Sequence, residues 1–218
     1  MNFKGERFPI LTENYIEYLG NEFNCCKYVD ANSSLLGMVD LNGNILCEPK
    51  YTSINVLGKN ALLCSQGVGR VGVIDNNGKE IIPNVYTHIN YNGASNTFTV
   101  YDEKLKVGIT DNIGKVLLEC KYDEISELNV PFAMYTIGDK RGLLILEGKE
   151  VTPAIYDYIE YTEFVNGECY KTYSCNSVGL ITADGRTLLE PIYDDILEIH
   201  DTYSEVELNG VLGRATYL

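Results

Sequence analysis

A unit of about 35 residues is repeated along this chain, and this repeat constrains the fold more than any other feature. Successive copies start 35, 36, 34, 37 and 34 residues apart. Their leading glycines are Gly37, Gly72, Gly108, Gly142, Gly179 and Gly213. In most copies a second glycine follows six positions later and a tyrosine fourteen positions later. This constant register predicts a tandem array of one structural unit.

The unit itself predicts four short β-strands and no helix. In the second copy, an apolar run after Gly72 meets the turn Asp75-Asn-Asn-Gly78, and a second apolar run follows at Ile81-Ile82. Aspartate and glycine between two apolar runs are typical of a hairpin. A proline link follows, and we expect the recurring tyrosine to open a third strand, which pairs with a fourth. Because proline ends hydrogen-bonded pairing, we expect the link to lead from one sheet to the next.

These expectations predict a single all-β domain over residues 1–218. Its six sheets are expected at residues 15–47, 51–82, 86–118, 122–152, 156–189 and 193–218. The last sheet has three strands in this alignment, and residues 8–12 align with the missing one. The sequence therefore predicts a closed six-bladed β-propeller, in which the N-terminal strand completes the last blade and leaves no unpaired edge. An open β-solenoid remains the alternative.

The repeated motif Gly-Φ-Φ-Asp-x-x-Gly-Lys-x-Φ-Φ-Pro-x-Φ-Tyr-Asp-x-Ile resembles the WG-repeat proteins of bacteria, and the resemblance covers residues 8–218. That family carries a tryptophan before the leading glycine, whereas this chain contains no tryptophan. The replacing residues are Leu36, Val71, Val107, Arg141, Val178 and Leu212. The resemblance implies a β-repeat scaffold used for interactions, and it implies no catalytic residues.

Charge and hydropathy exclude several classes of partner. The formal net charge of −14 repels nucleic-acid phosphates and anionic lipids. No apolar run approaches the ~18 residues of a membrane span, and the N-terminus lacks the pattern of a signal peptide. The seven cysteines are odd in number and follow no disulfide or zinc spacing. We therefore expect a cytoplasmic monomer with reduced core thiols.

No metal, cofactor or catalytic site is predicted. The segment Asp75-Asn-Asn-Gly78-Lys79 resembles a calcium loop, but lysine follows the glycine and no closing carboxylate is present, so a hairpin turn is favoured. The two histidines, His88 and His200, have no partner at ligand or triad spacing. The recurring tyrosines are expected to anchor the packing, with hydroxyls bonded to backbone groups.

Two features exceed what the fold requires. Tyrosines outside the repeat positions flank the variable loops, where they suit protein or sugar contacts. Carboxylates gather early in the tyrosine strand, and they would surround one mouth of a propeller channel. The candidate binding residues are Asp123, Glu124, Asp157, Tyr158, Asp194, Asp195 and Tyr161. The simpler interpretation is that these carboxylates bond turns and face solvent.

The sequence favours a non-catalytic binding module for a protein or basic peptide, which would dock at the carboxylates with a cation–π contact to Tyr161. A carbohydrate-binding, lectin-like propeller is the alternative. An enzyme on a propeller scaffold is a third class, and it would need an acid/base pair drawn from these carboxylates.

Overall fold

The structure, a computed structural model, describes residues 15–129, 131–164 and 167–217, and the regular structure in these ranges is antiparallel β-strand. The strands form six sheets, five of four strands and one of three, and within each sheet they lie side by side in chain order. The predicted all-β repeat is therefore confirmed. No helix within these ranges has the length and hydropathy needed to cross a bilayer.

The chain divides into two compact units, Met1–Cys120 and Lys121–Leu218. Sheet 1 contains β1 Ile16–Tyr18, β2 Cys25–Val29, β3 Leu36–Asp40 and β4 Ile45–Tyr51. Sheet 2 contains β5 Ser53–Gly58, β6 Ala61–Ser65, β7 Val71–Ile74 and β8 Glu80–Tyr86. Sheet 3 contains β9 His88–Asn92, β10 Thr97–Tyr101, β11 Val107–Asp111 and β12 Val116–Tyr122.

The second unit has the same plan. Sheet 4 contains β13 Glu124–Asn129, β14 Phe132–Ile137, β15 Lys140–Ile145 and the short β16 Lys149–Glu150. Sheet 5 contains β17 Tyr158–Phe164, β18 Gly167–Ser174, β19 Ser177–Thr182 and β20 Thr187–Tyr193. Sheet 6 contains β21 Asp195–Ile199, β22 Tyr203–Leu208 and β23 Val211–Thr216. Residues 8–12, predicted to complete sheet 6, lie outside the described residues.

Each sheet has two ends that differ in their connections. The hairpin end carries the turns between the first and second strands and between the third and fourth. The link end carries the turn between the second and third strands, together with the short link from the preceding sheet. This alternation follows from antiparallel strands in chain order.

The expected position of the tyrosine was wrong by one strand. Tyr51 ends the fourth strand of sheet 1, where it pairs with Leu36, and the next sheet starts at Ser53. The strand continues through Pro49 because it is the outer strand of its sheet, and an outward-facing proline removes no ladder hydrogen bond. The register shifts there, so the residues around the proline form a bulge opposite Gly37.

This bulge explains the leading glycine of the repeat. A Cβ on Gly72 would lie 2.5 Å from the carbonyl oxygen of Ile82, and one on Gly108 would lie 2.7 Å from that of Leu118. The fourth strand therefore approaches the third too closely for any side chain at this position. In contrast, a Cβ on Gly213 in β23 would meet no atom within 4 Å among the described residues.

The core lies between successive sheets within each unit. The isoleucine three positions after the recurring tyrosine is a core residue in most sheets. These residues are at most 1% exposed in four sheets: Ile54, Ile89, Ile159 and Ile196. Tyr51 and Tyr122 are fully buried, as expected of packing anchors. Their hydroxyls do not bond backbone groups as predicted: that of Tyr122 donates to Glu150 Oε1 at 2.6 Å, and that of Tyr51 is buried beside the thiols of Cys64 and Cys47.

The Asp-x-x-Gly segments form the predicted hairpin turns. Asp75 Oδ1 accepts hydrogen bonds from the amides of Asn77 and Lys79, both at 2.8 Å. The amide of Gly78, at a φ of 77°, donates to the Asp75 carbonyl at 3.0 Å. Asp40 and Asp111 bond their turns in the same way. The carboxylates are therefore occupied by backbone amides, as Asx-type turn chemistry requires.

The seven cysteines are free thiols, and five of them are buried. Cys25 and Cys26 belong to different core clusters because neighbouring strand residues face opposite sides of a sheet. Burial raises the pKa of the Cys25 and Cys169 thiols to about 11. These thiols act as small apolar core residues.

Candidate functional site

Three of the predicted carboxylates occupy one repeated position at the link end of the second unit. Each belongs to the aspartate that follows the recurring tyrosine, and each accepts a hydrogen bond from an amide in the adjacent turn between second and third strands. The pairs are Asp123 with Gly138 at 2.8 Å, Asp157 with Cys175 at 2.7 Å, and Asp194 with Gly210 at 3.3 Å. The three aspartates thus clamp three consecutive links to the turns beside them.

The backbone of these aspartates is fixed as well. The amide of Asp157 donates to the carbonyl of Tyr173 at 2.8 Å, and that of Asp194 donates to Glu207 at 2.9 Å. The turn-bonding interpretation of the carboxylates is therefore correct for their Oδ2 atoms. Since the same side chains remain at least partly exposed, this structural role leaves them accessible to a partner.

A lysine that the sequence did not identify enters this group. Lys140 Nζ lies 2.5 Å from Asp157 Oδ1, while the other carboxylate oxygen accepts the Cys175 amide. The hydrogen bond from Lys140 holds the pKa of Asp157 below its ordinary value. Arg141 Nη1 also donates to the Asp157 carbonyl oxygen. The Asp157 carboxylate is consequently neutralised within the chain itself.

Glu124 and Asp195 open the first strands of sheets 4 and 6, and both are exposed. Glu124 Oε1 accepts a hydrogen bond from Ser126 Oγ at 3.1 Å. Asp195 Oδ1 accepts one from the amide of Ile196 at 2.7 Å. The bonds that the described residues make to these two carboxylates thus come from their own strands. We name Asp123, Glu124, Asp157, Asp194 and Asp195 the acidic link end.

Tyr158 is the aromatic residue that belongs to this surface. It is 48% exposed, its ring lies 5.9 Å from that of Tyr173, and the Arg141 guanidinium lies 5.9 Å from its ring centre. Tyr173 donates its hydroxyl to Glu160 Oε2 at 2.8 Å. Burial, followed by Glu160, raises the pKa of Tyr173 to about 12. Tyr158 is thus already positioned for cation–π contact.

Tyr161 does not join this group. It packs edge-on against Tyr170 at 5.8 Å and is partly buried in the cluster that contains Leu143 and Ile159. Tyr158 and Tyr161 are three positions apart on β17, so their side chains leave opposite faces of the sheet. The structure therefore separates two tyrosines that the sequence analysis had placed together.

Sheets 2 and 3 of the first unit lack the aspartate at this repeated position. Thr52 and Thr87 occupy the aspartate position in sheets 2 and 3, and their hydroxyls donate to the carbonyls of Ser65 at 3.2 Å and Tyr101 at 3.1 Å. Threonine therefore also joins the link to the adjacent strand, but its hydroxyl donates to a backbone carbonyl and it carries no charge. Among the described residues that follow the recurring tyrosine in sheets 2 to 6, the aspartate is therefore found in the second unit and threonine in the first.

Two clefts lie at the hairpin ends, one in each unit, at equivalent positions of the repeat. The first, of about 630 Å³, lies between sheets 2 and 3, and the second, of about 600 Å³, lies between sheets 5 and 6. Polar groups in the first include Asn60, Asp75, Lys79, Tyr91 and Asn96. Polar groups in the second include Glu168, Asp184, Arg186, Asp201 and Thr202.

The histidines lie beside residues of their own segments. His88 Nε2 lies 2.9 Å from Asn90 Oδ1, and His200 Nε2 lies 3.5 Å from Glu198 Oε2 while its ring stacks on Tyr203 at 4.4 Å. Across the described ranges, no three His, Cys, Asp or Glu side chains are grouped so as to hold a metal ion.

Comparisons with solved structures return proteins of low sequence identity. PorZ, described as an essential bacterial surface component of the type-IX secretion system of Porphyromonas gingivalis, is 11% identical, with 94% of this chain and 32% of that chain covered and a TM-score of 0.30. The C-terminal WD40 domain of Sif2 is 10% identical, with coverages of 93% and 68% and a TM-score of 0.33. Kluyveromyces lactis Hsv2 is 13% identical, with coverages of 88% and 76% and a TM-score of 0.34.

Sequence comparison gives a more local result. No curated protein matches the chain. The family model described as WG containing repeat matches residues 108–140, which run from the leading glycine of the third copy to the residue before Arg141. The resemblance to WG-repeat proteins that the Gly, Asp-x-x-Gly and Tyr-Asp-x-Ile motifs predicted is therefore confirmed over that copy.

Proposed function

We propose that this chain is a non-catalytic binding module for a protein partner, and that a basic segment of the partner docks at the acidic link end. The observation that carries the proposal is the recurrence of Asp123, Asp157 and Asp194 at one position of three consecutive sheets, each held by a turn amide. Carboxylates fixed in this way are preorganised, so binding requires little ordering of the site.

The Lys140–Asp157 pair illustrates how a cation is accommodated. Asp157 accepts the Cys175 amide with one oxygen and the lysine ammonium with the other. A lysine or arginine of a partner reaching Asp194 can use the same arrangement. Tyr158, which already lies near Arg141, adds an aromatic face for a second cation.

The test uses charge removal with a matched control. Replacing Asp123, Asp157 and Asp194 by asparagine keeps an oxygen for each turn amide and removes three charges. The control variant replaces the hairpin-turn aspartates of the first unit, Asp40, Asp75 and Asp111, by asparagine. Both variants therefore have the same net charge. Fluorescence anisotropy of a labelled Lys/Arg-rich peptide, at low and at physiological salt, measures the affinity.

We expect the link-end variant to bind about tenfold more weakly, which is ~1.4 kcal/mol, and the control to change by less than about twofold. Both affinities should fall with salt because the Debye length shortens to ~8 Å at physiological ionic strength. Equal losses in the two variants would show that the peptide senses only net charge, and the proposal would then be abandoned.

Carbohydrate binding is the second candidate, and the two equivalent clefts favour it. Amides, carboxylates and the ring of Tyr91 are groups that bond sugar hydroxyls and cover sugar faces. Titration with oligosaccharides in a calorimeter tests it: binding at two sites per chain, lost on Asn96→Ala in one cleft and on Asp201→Ala in the other, is the expected result. Unchanged heats across the oligosaccharide panel would remove this candidate.

We further propose that the repeat array closes as a six-bladed propeller, with residues 8–12 pairing with β23. Gly213 supports this, because the other leading glycines lie under a fourth strand or a buried tyrosine whereas nothing covers Gly213 in the described residues. Val211 and Leu212 are 68% and 67% exposed there. We propose a monomer located in the cytoplasm, where a reducing environment suits the free thiols.

A further inference from the structure

The link-end turn of sheet 3 has the same hydrogen bonds as the hairpin turns of the repeat. Asp102 Oδ1 accepts the amides of Lys104 at 2.9 Å and Lys106 at 2.8 Å, and the amide of Leu105 donates to the Asp102 carbonyl at 3.0 Å. Asp75 makes the corresponding three bonds in its own turn. Residues 102–106 therefore form an Asp-x-x-Gly turn in which leucine replaces glycine.

This replacement puts Leu105 in a backbone conformation that suits glycine. Its φ is 61°, whereas the equivalent Gly43, Gly78 and Gly114 have φ values of 91°, 77° and 86°. A left-handed conformation brings Cβ too close to the following carbonyl oxygen, so it is unfavourable for leucine. The side chain is 67% exposed and gains little burial in return. Folding gives no reason for leucine at this position.

The link-end turn of sheet 2 also displays an apolar residue. Val68 stands between Gly67 and Gly69, which have φ values of 127° and 69°, and it is fully exposed. Ser65 fixes this turn, because its Oγ donates to the carbonyls of Gly67 at 2.7 Å and Arg70 at 3.1 Å. The chain thus fixes this loop and points its one apolar side chain into solvent.

Around the two turns, three basic side chains stand against two carboxylates. Arg70 and Lys104 are exposed beside them, and Lys106 follows. The carboxylates of this segment are Asp102, which accepts the turn amides, and Glu103, which is exposed. Thr52 and Thr87 stand where the second unit has aspartate. In a chain of net charge −14, these two turns therefore combine two exposed apolar side chains with a small excess of positive charge.

We infer that Val68 and Leu105, with Arg70 and Lys104, form a docking surface for a partner protein segment that carries a bulky apolar side chain flanked by carboxylates. Sheets 2 and 3 are consecutive, so both turns lie at the same end of one unit. The apolar side chain of the partner packs on Val68 and Leu105, and its carboxylates pair with the basic residues. This surface is separate from the acidic link end and does not depend on it.

The experiment selects binders from a random peptide library displayed on phage, using the full chain as bait. The affinity of each selected peptide is then measured for the wild-type chain and for three variants. Leu105→Gly restores the residue of the sibling turns, and Val68→Ser removes the second apolar side chain. The control is Ile113→Ser, which removes an apolar residue of 74% exposure from a hairpin-end turn.

The expected result is enrichment of acidic peptides with a large apolar residue, which lose at least about tenfold in affinity on Leu105→Gly or Val68→Ser and keep it on Ile113→Ser. Leu105→Gly should also melt at the same or a higher temperature than wild type, so a folding defect cannot cause the loss. Enrichment of basic peptides, no enrichment, or unchanged binding by Leu105→Gly overturns the inference. Concentration-dependent dimers that Leu105→Gly abolishes would also overturn it, because the occupant would then be a second copy.

Discussion

At the scale of single residues, the leading glycine records how closely two strands approach. Gly72 lies under the bulged fourth strand of its sheet, where a Cβ would be 2.5 Å from the Ile82 carbonyl oxygen and 2.7 Å from Asn84 Nδ2. The Ile82 carbonyl belongs to the backbone of the fourth strand, and Asn84 Nδ2 donates to Cys64 Sγ at 3.3 Å. Close packing therefore requires glycine here, and the glycine recurs in the sequence because the bulge recurs in the sheets.

A pair of glycine substitutions tests this explanation and the proposed closure together. Gly72→Ala should lower the free energy of unfolding by about 2 kcal/mol, because the methyl group overpacks the bulge. If residues 8–12 cover β23, Gly213→Ala should give a loss of similar size, and if nothing covers it the change should stay within about 0.5 kcal/mol. Urea denaturation of the two variants measures both values.

At the scale of strands and turns, most of the fold followed from the sequence because glycine, aspartate and proline have local effects. Asp75 and Gly78 determine a turn through bonds within five residues, so the hairpins were predictable. The end of β4 was not, because proline permits a strand end and an outer-strand bulge equally well. Only the pairing of Tyr51 with Leu36 decides between them.

The candidate site was predictable in part for the same reason. Asp123, Asp157 and Asp194 share a repeat position, and the repeat alone placed them at equivalent points. Lys140 was missed because a long side chain reaches its partner across a turn, which depends on tertiary geometry. Tyr161 was misplaced although strand parity excludes it from the face of Tyr158, so this error was avoidable.

The short strand β16 provides a pH-dependent contact. Glu150 accepts hydrogen bonds from Lys121 at 2.7 Å and Tyr122 at 2.6 Å, and these hold its pKa below the ordinary value, with Lys121 as the larger cause. A lowered folded-state pKa means that ionised Glu150 stabilises the fold above the unfolded pKa of about 4.3 and that this contribution disappears as pH falls through the folded value.

We therefore expect Glu150→Gln to reduce stability at pH 7 by about 1 kcal/mol, a value kept small because the site is solvent-screened. The difference from wild type should shrink below about pH 4. Thermal melts from pH 3 to about 7.5 follow it. Glu147→Gln, at an exposed neighbouring carboxylate, serves as the control and should match wild type throughout; a pH-independent difference for Glu150→Gln would contradict the assignment.

For the Asp-x-x-Gly turns taken together, we expect calcium to leave the thermal stability of the chain unchanged. The carboxylates of Asp40, Asp75 and Asp111 already accept two amides each. A ligand that binds only the folded state raises Tm by mass action. Melting curves with and without millimolar calcium should superimpose, and a calcium-dependent rise would show that the turn interpretation is incomplete.

At the scale of the whole molecule, closure predicts that the N-terminal segment contributes to stability. Deleting residues 1–13 should leave β23 with unpaired backbone groups, which template association with other chains. We expect oligomers by light scattering and a fall of ~10 °C in Tm, equivalent to about 3 kcal/mol for a chain of this size. A truncated chain that stays monomeric and melts like the full chain would favour the open solenoid.

One turn of the acidic link end contains the exposed thiol of Cys175, whose amide is bonded by Asp157. Five of the other six thiols are buried and the sixth, Cys120, is partly covered. A maleimide dye should therefore attach first at this one position, without any cysteine being engineered. Cys175 is thus a native attachment point for a fluorophore. The fluorescence intensity of that fluorophore should change when a ligand binds beside Asp157.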